Sequence, residues 1–434
     1  MSESPSPYPD QIETHPVSAP VDATVTLPGS KSITNRALII AALADGHSTL
    51  EQALFSDDTR YMADSLQRLG IAVDSDQAAE RFQVDGRGGK IPADHASLFI
   101  GNSGTSARFL TALLALGNGT FHLDGVERMR QRPIAPLLSA LTDLGVDASS
   151  DNGDGCPPIT VTSSGLSGGT VRMAADTSSQ YFTALLMIAP LTCSGLEIQV
   201  EGDLVSKPYL DMTIATMNDF GATVRNDDYQ RFQIPGGQSY SARSYAIEPD
   251  ASAASYFFAL AAATGGTVRV MNLGDGSVQG DVDFVDVLEQ MGCRVEREPT
   301  SITVHGPQRL YAVDVDMNAI SDTMPTLAAI APLADGPVTI RNVEHVRHKE
   351  TDRIHAVVTE LRRMGIEVEE TQDGLTVQPG SPRPATIQTY DDHRMAMSFA
   401  ILGCTRPGIV IDDPGCVAKT FPDFFERLER AVGR

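Results

Sequence analysis

One unit is written six times along this chain of 434 residues. Each copy carries a polar cluster, an apolar run of helical character, a glycine-containing break, a strand-like segment and a second helix that closes on glycine. The apolar runs begin at Ser30, Gly104, Thr177, Asp250, Ser321 and Asp391, and the second helices close at Gly70, Gly145, Gly221, Gly292, Gly365 and Gly433. These glycines recur at roughly 70–75 residues, longer than most solenoid repeats, so each copy reads as a small α/β subdomain with strands alternating with helices.

The first helix of each copy is apolar on almost every side, as in Ala37 to Leu43, Phe257 to Ala263 and Thr326 to Leu333, which predicts burial in a core. The second is amphipathic and is expected to face water. Three copies can pack their buried helices side by side with sheets outside, so six copies predict two domains of similar build. The first domain is expected over 28–246. The second is expected over 247–434 together with 1–27, completed by an N-terminal strand from Ala23 to Leu27 that crosses over. The polar segment ahead of that strand is expected to be disordered.

Charge narrows the function. With 33 basic and 56 acidic residues the net charge is −23, so nucleic acid and anionic membrane surfaces would meet repulsion. No apolar run approaches the ~18 residues a membrane span needs, and the N-terminus lacks a basic-then-apolar leader. The five cysteines are odd in number and scattered without CxxC spacing, which fits a reducing cytoplasm and argues against a disulfide framework or structural zinc.

Against this acidic background the polar clusters stand out, because equivalent buried helices would present their N-terminal ends on one surface of each domain. Two domains facing one another would make a cleft that ligands bridge and close. Helix starts attract anions through unpaired N–H groups and the helix dipole. Gly29-Ser30-Lys31-Ser32 lacks the upstream glycine of a nucleotide P-loop, but Lys31 and Arg36 could grip an anion; a plain helix cap with solvated cations explains the segment as well. Gly101 to Ser106 lets backbone approach a ligand, and Ser178, Ser179 and Gln180 offer more polar groups than a cap requires.

Arg128, Arg130 and Arg132 alternate, so an extended Glu127 to Pro133 would set like charges on one face. Lys349 and Arg353 would repel at i, i+4 on a helix, unless Glu344, Glu350 and Asp352 neutralise this stretch. Arg394 and Lys419 complete the set of cations. Tyr390 reads as core, as do Met395 to Phe399. A chain this acidic that gathers its cations in one place points to a small polyanion.

These residues carry a resemblance. LPGSKSITNRAL, GNSGTSARFL, RMRQRPI, DTSSQY, GDLVSKPYLDMT, SDTMPTLA, RHKETDRI, DDHRMAM and CVAKTFPDFF are similar, in the same order and over almost the full chain, to motifs of the 5-enolpyruvylshikimate-3-phosphate synthase family. The resemblance implies an inside-out α/β barrel built twice, and transfer of the enolpyruvyl group of phosphoenolpyruvate to the 5-hydroxyl of shikimate 3-phosphate on the route to chorismate and the aromatic amino acids. It implies no metal or organic cofactor, no partner beyond the two substrates, a monomer, and competition by glyphosate with phosphoenolpyruvate.

Carried over motif by motif, it assigns Lys31, Ser32, Arg36, Ser178, Ser179, Gln180, Ser206, Asp322, His345 and Lys349 to shikimate 3-phosphate. Phosphoenolpyruvate is assigned Lys31, Gly104, Arg132, Gln180, Arg353, Arg394 and Lys419. Asp322 matches the proton acceptor and Glu350 the proton donor, with Lys31 a candidate participant in proton transfer. His345 stands where many members have Asn, and Phe109 where Pro is common. The related transferase acting on UDP-N-acetylglucosamine normally carries a cysteine in the loop that here reads RMRQRP, and a non-catalytic anion-binding module is expected to have lost Lys31, Asp322 or Glu350.

Overall fold

A computed structural model describes residues 8–175 and 178–434; residues 1–7, Asp176 and Thr177, the first residue of the third apolar run, lie outside the described residues. The chain divides into two compact units, Gly29–Glu248 and a second made of Met1–Pro28 with Pro249–Arg434.

The helices of Gly29–Glu248 are α1 (Lys31–Leu43), α2 (Asp57–Arg68), α3 (Gly104–Leu114), α4 (Ala135–Asp143), α5 (Ser179–Ile188) and α6 (Pro208–Asp219). The expectation of all-round burial holds for α1, α3 and α5: Ala37 to Leu43, Ala107 to Leu114 and Phe182 to Ile188 are each no more than 4 % exposed. α3 packs against both α1 and α5. α6 departs from the expected water-facing role, since it packs on α1 and α5 and buries Leu210, Met212, Thr213, Thr216 and Met217.

Three four-stranded sheets enclose these helices, and all share one pattern. A leading strand runs parallel to a central strand, which pairs antiparallel with a third strand and through it with an edge strand. In the third sheet Val171, Ile198 and Phe232 sit opposite one another, all within 2 % of full burial, so one row of apolar side chains faces the helices.

The second unit repeats the plan with α7 (Ala251–Thr264), α8 (Phe284–Gln290), α9 (Met324–Ile330), α10 (Arg353–Arg363), α11 (His393–Gly403) and α12 (Phe424–Ala431). Here α7, α9 and α11 are the buried trio and touch one another pairwise. The expected crossover strand is Asp22–Val25, somewhat earlier than Ala23 to Leu27, and it pairs parallel with Thr267–Met271. Within Gly29–Glu248 the first sheet is completed by the unit's last strand, Ser244–Ala246, which pairs parallel with Asp45–Glu51.

The polar N-terminal segment corrects the expectation of disorder from Tyr8 onward. Gln11–Thr14 pairs antiparallel with Ile409–Asp412 and takes the place that a third strand fills in the other five sheets.

All six closing glycines have positive φ, between 78° and 96°. Each ends a helix with the same pair of backbone bonds, as when Gly70 N donates to Gln67 O at 3.0 Å and Ile71 N to Leu66 O at 3.0 Å. This left-handed closure satisfies carbonyls the helix leaves open, and glycine adopts it without the Cβ penalty of roughly 1–2 kcal/mol. Gly145→Ala, whose Cβ would meet nothing within 4 Å, should therefore cost about 1–2 kcal/mol. Gly70→Ala should cost more, because its Cβ would fall 2.8 Å from Pro92 Cβ. Urea unfolding midpoints of the two variants should rank in that order.

Candidate functional site

The polar clusters start as helix caps. Ser30, Ser103 and Ser178 each accept a hydrogen bond from the first turn of α1, α3 and α5, and Asp250 and Asp392 do so for α7 and α11. Capping explains one residue in five of the six clusters, while α9 starts without a side-chain cap.

In Gly29–Glu248, Lys31 lies at the start of α1 with its ammonium 3.5 Å from Asp58 of α2. Arg36 is 2 % exposed and gives its donors to neutral oxygens: Thr213 Oγ1 at 2.8 Å, Ser32 O at 2.9 Å and Tyr209 O at 3.1 Å. Burial pushes its pKa down to about 10. Its guanidinium also stands 5.3 Å from the Phe109 ring centroid, so Phe109 packs on a cation at this position.

The loop of three arginines is not extended. Met129–Gln131 forms a short 3₁₀ turn, which sends the side chains apart. Arg130 bonds Asp124 with two N–H groups at 3.0 and 2.6 Å, and Arg128 reaches Gln131 at 3.3 Å. Arg132 turns inward, 6 % exposed, and donates to Asn102 O at 2.9 Å. A Cβ on Gly104 would fall 2.3 Å from Arg132 Nη2 and 2.9 Å from Arg108 Nη1, so glycine leaves room for two guanidinium groups. Gln180 reaches Thr105 at 3.3 Å, tying the starts of α5 and α3 together. Ser179 is buried, and Ser206 is buried with φ of +55°, an uncommon conformation for a residue other than glycine.

The second unit gathers Asp322, His345, Lys349, Glu350, Arg353, Arg394 and Lys419. Lys349 is not on the helix with Arg353: α10 begins at Arg353, capped by Asp352, and both cations reach the same carboxylate instead of repelling along one helix face. Arg347 is the residue that neutralisation explains, held by Asp352 at 2.8 Å and Glu370 at 3.0 Å.

Asp322 is the hub. It accepts from Lys349, from Arg353 at 3.1 Å and from Arg394 at 2.5 Å. Burial alone would raise its pKa, but the charges of Arg394, Lys349 and Arg353 win and hold it well below the usual carboxylate range. Arg353, 1 % exposed, also grips Glu350 at 2.7 Å and Asp392 at 2.7 Å. Lys419 stands 3.8 Å from Glu350. His345 meets Ser321 Oγ at 2.8 Å, and burial followed by the Lys349 charge pushes its pKa down to about 3, so the imidazole is neutral.

Three contributors escape a reading of the sequence. Asp392 is fully buried and orients Arg353, but one acid in a charged string gives no sign of that. Asp281 is held near Asp322 and Arg394, where burial and the Asp322 charge push its pKa up to about 6. Asp58, buried opposite Lys31, lies in an ordinary amphipathic helix. The reading of Tyr390 as core is also corrected, since its ring is 39 % exposed.

Each unit therefore holds oriented, mostly buried cations, and the second also holds the carboxylates Asp322 and Glu350 among them. Among known proteins, the sequence profile described as EPSP synthase (3-phosphoshikimate 1-carboxyvinyltransferase) matches residues 16–428. The 3-phosphoshikimate 1-carboxyvinyltransferase of Trichormus variabilis is 53% identical over 425 residues, covering 98% of this chain and 100% of that protein. The chloroplastic 3-phosphoshikimate 1-carboxyvinyltransferase of Arabidopsis thaliana is 47% identical, covering 94% of this chain and 82% of that one. Among solved structures, an EPSP synthase from Acinetobacter baumannii superposes with a TM-score of 0.82 at 25% identity over 97% of this chain and 98% of its own.

The neutral His345 has a measurable consequence. Its folded pKa of about 3 lies below an unfolded value near 6.5, so the unfolded chain takes up the proton first as pH falls. Stability should drop from pH ~6.5 downward, by about 2 kcal/mol between pH 7 and pH 5 from this group alone. His345→Asn should flatten that part of the profile in urea unfolding at the two pH values.

Proposed function

The chain belongs to the EPSP synthase family, and on that premise we propose that it transfers the enolpyruvyl group of phosphoenolpyruvate to the 5-hydroxyl of shikimate 3-phosphate, releasing phosphate, on the route to chorismate and the aromatic amino acids. The single observation that carries the site assignment is the cage around Asp322, where three cations converge on a carboxylate next to Glu350. Substrates that each bear a phosphate and a carboxylate suit such a cage, because charge-assisted and bidentate hydrogen bonds hold two anions against their mutual repulsion.

Shikimate 3-phosphate takes Lys31, Ser32, Arg36, Ser178, Ser179, Gln180, Ser206, Asp322, His345 and Lys349. Phosphoenolpyruvate takes Lys31, Gly104, Arg132, Gln180, Arg353, Arg394 and Lys419. Arg36 keeps its guanidinium in place with neutral acceptors, so among the described residues an incoming anion finds no carboxylate to displace from it. His345, uncharged, contributes hydrogen bonding and no charge in the place where many members use Asn.

In the addition step the 5-hydroxyl oxygen bonds C2 of phosphoenolpyruvate, its proton passes to Asp322, and Glu350 supplies a proton to C3. In the elimination step C3 returns a proton to Glu350, the C2–O bond to phosphate breaks as the proton held by Asp322 passes to the departing phosphate, and the double bond re-forms. Asp322 alone is ionised but weakly basic while three cations hold it. Substrate anions that claim Arg353, Lys349 and Arg394 loosen that hold, so Asp322 becomes an effective base when both substrates are present. The same claim on Arg353 and Lys419 draws them off Glu350, which then carries the proton for C3. Cations fixed in advance stabilise the charge that develops between the two steps.

This addition and elimination calls for no electron transfer and no organic cofactor. We place the enzyme in the cytoplasm as a monomer; all five cysteines carry free thiols, as suits a reducing compartment.

Purified protein should release phosphate from phosphoenolpyruvate with shikimate 3-phosphate and none with UDP-N-acetylglucosamine; binding without turnover would favour an anion-binding module. Asp322→Asn should lower kcat by roughly 10²–10⁴ in the same assay. Gly104→Ala should push Arg132 aside and raise KM for phosphoenolpyruvate roughly tenfold or more, leaving KM for shikimate 3-phosphate nearly unchanged.

A further inference from the structure

Five residues, Gln388 to Asp392, link the sixth sheet to α11, and a single face of α10 holds both ends of this segment. Arg353 and Glu360 stand seven residues apart on α10, on the same side of the helix, and are 1 % and 0 % exposed. Arg353 takes the Asp392 end, with Nε 2.7 Å from Oδ2. Glu360 takes the other end: its carboxylate accepts from Gln388 N at 3.2 Å and from the Tyr390 hydroxyl at 2.7 Å, and Arg363 braces it at 3.0 Å.

Between those anchors the backbone is strained. Tyr390 and Asp391 have φ of +56° and +54°, two successive residues other than glycine in the left-handed region. Such a conformation persists only where its surroundings over-determine it. The strained turn delivers Asp392, which is buried, caps α11 through Arg394 N at 2.9 Å and fixes the Arg353 guanidinium. Tyr390 itself is 39 % exposed, so its ring adds little to the core, and its hydroxyl contact with a buried carboxylate is the stronger structural tie.

We propose that Glu360 and Tyr390 are positioning residues that hold the strained Tyr390–Asp391 turn, and through Asp392 set the aim of Arg353 and Arg394 at the anionic substrate. This rests on the assignment of those two arginines to phosphoenolpyruvate. Neither Glu360 nor Tyr390 touches the reacting groups; both act through the turn. Without the strut the turn relaxes, Asp392 shifts, and the two guanidinium groups lose their common geometry.

Steady-state kinetics on the full-length enzyme test this with Tyr390→Phe, which removes only the hydroxyl, and Glu360→Gln, which keeps the shape and removes the charge. Phosphoenolpyruvate is varied at saturating shikimate 3-phosphate, then the reverse, with circular dichroism confirming that each variant is folded. In Tyr390→Phe, KM for phosphoenolpyruvate should rise at least about fivefold, while kcat and KM for shikimate 3-phosphate stay within about twofold. Glu360→Gln should shift the same constant in the same direction. If the parent enzyme turns over and Tyr390→Phe leaves KM for phosphoenolpyruvate within twofold, the inference fails. It also fails if both KM values and kcat worsen together with thermal stability. A parent enzyme without turnover would instead defeat the assigned reaction.

Discussion

Charge compensation around Asp322 governs the rest of the charged cluster in the second unit. Lys349, Arg353, Arg394 and Lys419 stand among Asp281, Asp322, Glu350 and Asp392, nearly all of them buried. A buried charge without a partner costs several kcal/mol, so a bare cationic pocket would have to be held open at the expense of the fold. Here each cation already has a carboxylate, and an arriving anion replaces one partner by another. The proposed site is thereby held in place by its own ion pairs, as electrostatic stabilisation of a developing charge requires. The first unit solves the same problem differently, surrounding Arg36 with neutral oxygens and an aromatic ring.

Much of the fold was legible because the repeat marks positions where physics allows little choice. A helix that closes on a left-handed residue selects glycine, so Gly70, Gly145, Gly221, Gly292, Gly365 and Gly433 announce the six helix ends as a regular series. A helix enclosed on all sides must be apolar on all sides, and α1, α3 and α5 show that in composition alone. The strand Gln11–Thr14 was not legible. QIET has a weak strand pattern, and its partner Ile409–Asp412 lies at the other end of the chain, beyond any local signal. α6 was misjudged because a helix with a polar flank looks amphipathic even when two neighbours cover it.

The site was legible as residue types and much less as partnerships. Arg130 and Arg132 are indistinguishable as letters; only the turn at Met129–Gln131 sends one to Asp124 at the surface and the other inward beside Gly104. Tyr390 precedes an apolar helix and so looks like core, but it lies half-exposed on a left-handed backbone with its hydroxyl on the buried Glu360. His345 could have been charged or neutral from sequence, and burial beside Lys349 decides for neutral.

The sequence distance between paired strands of the discontinuous unit shapes how the chain acquires its structure during synthesis. As the polypeptide leaves the ribosome, Asp22–Val25 emerges early but must wait more than two hundred residues for its partner Thr267–Met271. Gln11–Thr14 waits longer still, for Ile409–Asp412. Gly29–Glu248 owns every strand of its three sheets and can mature first, while the leading segment remains an unsatisfied edge that invites wrong pairing. Vectorial translation therefore imposes an order of assembly in which Gln11–Thr14 is made before the three sheets of Gly29–Glu248 and locked in after them.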